Sequence, residues 1–205
     1  MKMEKFVDDY CGVNSYVVSD DDTNKCMVVD PGGSLENIYN YIKKNDLDLE
    51  YIVLTHGHGD HIGYVMEIKT KTGAKVVANK NEKEMLNDKD KNLSSRMKCG
   101  AQEFDADIYV DDKDTLKLGN LNMRFIHTPG HTPGGMCIRF GDDMITGDTL
   151  FAGSIGRTDL FGGDYKCMEK SLKKLCKYED NVRVYPGHGP ASTLGIEKQS
   201  NPYLR

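Results

Sequence analysis

Short apolar runs separated by polar turns organise the whole chain, and their period changes along it. Residues 14–19 (Asn-Ser-Tyr-Val-Val-Ser) and 26–30 (Cys-Met-Val-Val-Asp) read as two short strands joined by the polar turn Asp20-Asp21-Asp22-Thr23-Asn24. Asp30-Pro31-Gly32-Gly33 ends the second strand. Leu35, Ile38, Tyr39 and Ile42 then recur at helical spacing, with Ser34 placed to cap that helix. Residues 51–55 form a continuous apolar run, the pattern of a strand buried on both faces. A helix is predicted over about 62–71, a strand over 74–78 and a short helix over 81–87. Residues 88–105 have no period and many charges, which reads as a loop or lid. From Ile108 onward strands dominate, at 115–118, 123–127, 136–140, 144–146 and 182–185, with one helix over 164–177 carried by Met168, Leu172 and Leu175.

Each half thus runs through strands and then helices. Two mixed β-sheets with helices outside them satisfy that order, an α/β (α+β) arrangement. There is no linker, repeat or low-complexity tract, so one domain over residues 1–205 is expected. No apolar run approaches the ~18 residues of a membrane span. Residues 1–10 lack the apolar centre of a signal peptide, which predicts a cytoplasmic protein and no membrane association. The net charge is -5 and lysines alternate with acids, as in Lys89-Asp90-Lys91, so no basic face for nucleic acid is expected. Six cysteines stand apart at 11, 26, 99, 137, 167 and 176 without a C-x-x-C pair, and read as reduced thiols.

The histidines carry the chemistry. Three of the six lie in Thr55-His56-Gly57-His58-Gly59-Asp60-His61, directly after the buried strand. His127 and His131 flank Thr128-Pro129-Gly130, and His188 lies in Pro186-Gly187-His188-Gly189-Pro190, each after a strand. Asp148 ends Met144-Ile145-Thr146-Gly147-Asp148, again after a strand. Imidazole nitrogens and carboxylate oxygens are ligands for zinc, manganese and iron, and strand ends can hold them rigidly from distant parts of the sequence. Five of six histidines in such loops point to a metal site.

His-x-His-x-Asp-His, followed by His131, Asp148 and His188 at separations of 70, 17 and 40 residues, resembles the signature of the metallo-β-lactamase superfamily. The resemblance spans about residues 10–205 and implies a four-layer αβ/βα sandwich with metals at one edge between the sheets. It implies two divalent metal ions, most simply zinc, with iron or manganese served by the same ligand types. His56, His58 and His131 would hold one ion, Asp60, His61 and His188 the other, and Asp148 would bridge them. His127 has no place in that set. Asp30, before Pro31-Gly32, is expected to orient a ligand histidine.

Residues 147–159, Gly-Asp-Thr-Leu-Phe-Ala-Gly-Ser-Ile-Gly-Arg-Thr-Asp, resemble the glyoxalase II branch, as does Pro186-Gly187-His188-Gly189-Pro190 with the residues that follow. Those enzymes hydrolyse S-lactoylglutathione. The resemblance implies a small-molecule thioester substrate attacked by a hydroxide held between the ions, with Asp60 in the catalytic set. The chain departs from the branch in two ways. It reaches Arg205 without the C-terminal helical region of full-length glyoxalase II, and Arg157 and Asp159 occupy the stretch where those enzymes carry a Lys and a Tyr. Arg157 is the candidate for gripping an anionic substrate, against an internal ion pair with Asp159 or Asp164. Tyr165 and the 88–105 segment, with Arg96 and Lys98, are candidates for covering the cleft. The alternative within the fold is a persulfide dioxygenase using one iron on His56, His131 and Asp148, which shares a Gly-Arg-Thr-Asp stretch like residues 156–159. Oligomeric state has no signature in the sequence.

Overall fold

Successive residues of a strand point to opposite faces, and in the central strands here both faces are apolar. Tyr16, Val18, Met27, Val29, Val53 and Val77 enter one cluster, while Val17, Cys26, Val28, Ile52, Leu54, Val76 and Ala78 enter another. A sheet with two apolar faces must be covered twice, and that requirement generates the layers. The computed structural model describes residues 1–204; Arg205, at the end of the expected domain, lies outside the described residues.

The first sheet contains β1 (Lys2–Val7), β2 (Asn14–Ser19), β3 (Lys25–Val29), β4 (Asp48–Val53), β5 (Lys75–Asn79) and β6 (Ile108–Val110), side by side in chain order. β1 to β3 pair antiparallel and β3 to β6 parallel. Parallel strands need crossovers, which α1 (Leu35–Lys44), α2 (Gly59–Ile62), α3 (Val65–Thr72) and α4 (Lys83–Leu86) supply. Ile38, Val65, Ile68 and Leu86 from these helices cover the outer face.

The second sheet contains β7 (Thr115–Leu118), β8 (Leu121–His127), β9 (Met136–Phe140), β10 (Asp143–Gly147), β11 (Arg183–Pro186) and β12 (Ser192–Thr193), with β10 and β11 parallel and the other pairs antiparallel. Its inner residues Met123, Phe125, Met136, Ile138 and Ile145 pack against the inner face of the first sheet. Its outer face is covered by α5 (Tyr165–Leu175) and α6 (Leu194–Ser200) through Met168, Leu172, Leu175 and Leu194. The result is the four-layer αβ/βα sandwich.

The structure corrects several local expectations. β1, β12 and α6 are additional elements. β1 is an edge strand whose lysines and glutamates hide its two inward residues, Met3 and Phe6. The helix expected over 62–71 is two helices that part at Gly63-Tyr64. Ser34 does not cap α1: its backbone is left-handed (φ 54°) and its hydroxyl donates to the Val7 carbonyl at 2.8 Å. Residues 88–105 are no free lid. Asn92 and Ser94 are buried, the Asn92 amide donates to the Met85 and Gln102 carbonyls, and the Gly59 N–H donates to Asn92 O at 2.7 Å. The segment packs on the turn that carries the first histidines.

Candidate metal centre

Four strand ends deliver the histidines and aspartates to one place between the sheets. The loop after β4 carries His56, His58, Asp60 and His61, the loop after β8 carries His131, the end of β10 carries Asp148, and the loop after β11 carries His188. Two backbone bonds tie these ends across the sheets, Met136 N–H to Thr55 O at 2.9 Å and Asn14 N–H to Gly187 O at 2.7 Å, and Gly187 N–H to Gly147 O at 2.9 Å joins the ends of β11 and β10 within the second sheet. Gly187 is required by this crowding, because a Cβ there would lie 2.3 Å from Asp148 Oδ1.

Two sets of donor atoms result. One nitrogen each from His56, His58 and His131 lie within 4.8 Å of one another, and so do donors from Asp60, His61 and His188. His58 Nδ1 is 2.8 Å from His131 Nε2. In the second set His61 Nε2 is 3.3 Å from His188 Nε2, and His188 Nε2 is 3.3 Å from Asp60 Oδ2. Asp148 lies between the sets, with Oδ2 3.5 Å from His131 Nε2 and Oδ1 3.4 Å from His61 Nε2.

The far nitrogens are fixed by partners that accept protons. His131 Nδ1 donates to Arg157 O at 2.7 Å, His188 Nδ1 to Gly12 O at 3.1 Å, and His61 Nδ1 to Asp30 Oδ2 at 3.0 Å. A ring whose Nδ1 carries the proton presents a bare Nε2 lone pair, the form a metal binds. His56 Nδ1 is 3.1 Å from the Thr55 hydroxyl, which donates to Asp30 Oδ2 at 2.6 Å. Asp30 Oδ1 accepts the Thr55 N–H at 2.7 Å. Asp30, His56 and His61 also lie within ligand reach of one another. Both Asp30 oxygens are already committed, however, so its place is behind the rings. Its backbone is left-handed (φ 49°), as aspartate tolerates.

The electrostatics match a cation site. Burial, reinforced by His131, lowers His58 to about 3, and burial together with the neighbouring rings holds His56 well below the ordinary imidazole range. Both are neutral and able to ligate at physiological pH. Burial opposes ionisation of Asp60, but His61 and His188 outweigh it and keep the carboxylate charged. Burial would also neutralise His61, yet Asp148, Asp60 and Asp30 around it raise it well above its usual value, so this corner of the site demands positive charge. Two polar atoms of the sets, His56 Nε2 and Asp148 Oδ1, are buried without a hydrogen-bond partner. Orphaned donors and acceptors of this kind are costly unless something fills them. Nitrogen and carboxylate donors in this number fit divalent metal ions.

Other expected residues sit differently. His127 lies at the end of β8 with Nε2 donating to Pro133 O at 2.9 Å, apart from both sets. The Arg157 guanidinium forks onto Asp159 at 2.6 and 2.7 Å in an exposed pair, so it is this residue's backbone carbonyl that touches a site histidine. Met97, Lys98 and Cys99 line a cavity of about 90 Å³ beside Asp60, facing Tyr10 and Cys11; the Lys98 ammonium stands 3.9 Å over the Tyr10 ring. Tyr165 is exposed at the start of α5, and Arg96 is exposed in a short turn. Sequence reading missed Glu82, buried behind the first histidine loop. Burial pushes its carboxyl up to about 7 although three donors favour the anion.

A sandwich of two mixed sheets with paired His/Asp sets at one edge defines a class of metal-binding hydrolases. The family model described as the metallo-beta-lactamase superfamily matches residues 8–188, and the chain belongs to that superfamily. It is 37% identical over 196 residues to the hydroxyacylglutathione hydrolase GloC of Haemophilus influenzae, covering 90% of this chain and 89% of that one. Among solved structures it is similar to the BLEG-1 B3 metallo-beta-lactamase, with a TM-score of 0.91, 33% identity and 99% of each chain covered. It is also similar to TTHA1623 in a di-iron-bound form, with a TM-score of 0.85, 29% identity, and 98% of this chain and 100% of that one covered. Among the described residues no helix is long and apolar enough to cross a membrane.

Proposed function

We propose that this chain is a two-metal hydrolase of thioesters, acting on S-lactoylglutathione or a related acyl-thiol. The observation that carries the reading is the convergence of two donor sets on a shared Asp148, with buried ring and carboxylate atoms otherwise unpartnered. His56, His58 and His131 would hold one ion, Asp60, His61 and His188 the other, and Asp148 would lie between them. The metal is zinc in the simplest version, while iron and manganese suit the same donors. When bound, such a pair supplies Lewis acidity, ionising water near neutral pH and polarising a carbonyl.

The chain's own residues do the rest. Asp30, Arg157 O and Gly12 O hold three imidazoles in the tautomer that presents Nε2. Asp60 stays ionised with 20% of its side chain exposed, and as a carboxylate it would accept a hydrogen bond from the attacking water. The leaving group favours the thioester class. A thiol has a pKa of about 8.5 and departs as thiolate without a strong general acid, whereas an amine needs a proton. The similarity to a hydroxyacylglutathione hydrolase over nine-tenths of the chain supports the same choice. A substrate carboxylate would reach Arg157 by competing with Asp159 for the guanidinium fork. The partner is then a small molecule, and a cytoplasmic location fits glutathione-type thiols.

The test is thiol release from S-lactoylglutathione and a panel of acyl-thiols, with matched oxygen esters and amides as controls. Thioesters should turn over at least about a hundredfold faster than the amides, a difference of about 2.7 kcal/mol in transition-state stabilisation. Turnover of amides or phosphodiesters in preference to thioesters would remove the assignment.

A further inference from the structure

Glu82 ends the short turn that follows β5 and is 1% exposed. Its carboxylate reaches two separate parts of the candidate site. Oε2 accepts the Gly57 N–H at 3.1 Å, from the residue between His56 and His58. Oε1 accepts the Gly134 N–H at 2.7 Å and the hydroxyl of Thr132, the residue after His131. Gly57 favours this approach, because a Cβ there would meet Glu82 Oε2 at 2.9 Å and the carboxylate would have to shift. Among the described residues no basic side chain forms an ion pair with Glu82.

A buried carboxylate without a counter-ion is costly, and one that bridges two loops by backbone bonds fixes their separation. That separation is the one that matters for the three-histidine set. His56 and His58 come from one loop and His131 from the other, 73 residues from His58 along the chain. Among the described residues the hydrogen bonds of Glu82 go to Gly57, Thr132 and Gly134, and none goes to Asp60, His61 or His188.

We infer that Glu82 is a positioning residue for the three-histidine metal site, clamping the His56–His58 loop to the His131 loop from behind the rings. The inference rests on the two-metal reading above. Support of the centre is then unequal: Asp30 bonds His61 directly and reaches His56 only through the Thr55 hydroxyl, while every bond of Glu82 goes to the loops of the His56–His58–His131 set. Glu82→Gln keeps the shape and Oε1 but turns an NH₂ toward the Gly57 N–H, setting donor against donor. Thr132→Val removes one bond from the other end of the clamp and leaves Glu82 in place, and Thr132→Ser restores that bond.

The experiment is a zinc titration of the metal-free full chain against a chromophoric chelator, with melting of the metal-free protein followed in parallel. The wild type should show two binding steps, and His56→Ala identifies the three-histidine step by removing it. In Glu82→Gln that same step should weaken about 10- to 100-fold, the range for outer partners of metal ligands, while the other step stays within about threefold. Thr132→Val should weaken the same step and Thr132→Ser should recover it. Activity should fall through kcat at limiting zinc and return at high zinc with KM unchanged. Two wild-type steps left unaltered by both Glu82→Gln and Thr132→Val would overturn the inference alone. So would equal weakening of both steps with a lowered melting point, the result of a purely structural role. No zinc bound by the wild type would overturn the metal-centre reading and this inference with it.

Discussion

Asp30 Oδ2 lies 3.0 Å from His61 Nδ1, both side chains being buried, and the same oxygen accepts the Thr55 hydroxyl. This carboxylate therefore sets the tautomer of a ring that faces Asp148 and His188. Asparagine can adopt the left-handed backbone of Asp30, so Asp30→Asn keeps the main chain while removing the charge. Zinc affinity of the Asp60–His61–His188 set should fall about 10- to 100-fold, more than that of the three-histidine set. Unchanged affinity at both steps of a chelator competition would show that Asp30 serves only to hold Thr55.

His58 lies among the rings of the first set, with Nδ1 2.8 Å from His131 Nε2. His58→Ala should reduce thioester hydrolysis by at least about 10² to 10³, the loss typical when an electrostatic group is taken from a hydrolytic site. Its circular-dichroism spectrum should stay native, since the ring lies at a strand end outside the three apolar clusters. Activity retained in this variant would remove the three-histidine set from the chemistry.

Arg157 is a test of magnitude. Its pair with Asp159 is exposed, and exposed pairs contribute about 0–1 kcal/mol. If the fork also receives a substrate carboxylate, Arg157→Ala should raise KM for acidic thioesters about three- to fivefold and leave neutral ones unchanged. Equal effects on both classes would confine the side chain to its pair with Asp159.

All six cysteines are free, and two are fully enclosed. Burial pushes the Cys26 thiol up to about 12 and the Cys137 thiol up to about 11, so neither forms thiolate at working pH. A thiol reagent at pH 8 should titrate at most four groups in the native protein and all six in denaturant without reductant. Fewer than six in denaturant would reveal a disulfide and contradict the thiol assignment.

The layers were legible because the strands obey a simple period. Residues 51–55 are apolar without interruption, and they do lie in or beside a strand flanked by parallel neighbours. The His/Asp motifs were legible because each is a contiguous string at a strand end. Other features left no local trace. The carbonyls of Gly12 and Arg157 orient His188 and His131 through backbone atoms that every residue possesses. Glu82 meets Gly57 across 25 residues and Gly134 across 52, with no pattern in the string to link them. β1 carries only Met3 and Phe6 as inward residues among charged neighbours, too few to stand out from a polar terminus. Ser34 looked like a cap by residue type, but only the tertiary position of Val7 shows where its hydroxyl goes.

The most direct test of the account is the metal content per chain, by elemental analysis of protein purified without added metal. Two donor sets sharing Asp148 predict close to two divalent ions per chain, zinc or a mixture of zinc and iron. A single iron per chain, accompanied by persulfide-dependent oxygen consumption, would contradict the two-metal hydrolase and assign His56, His131 and Asp148 to an oxygenase.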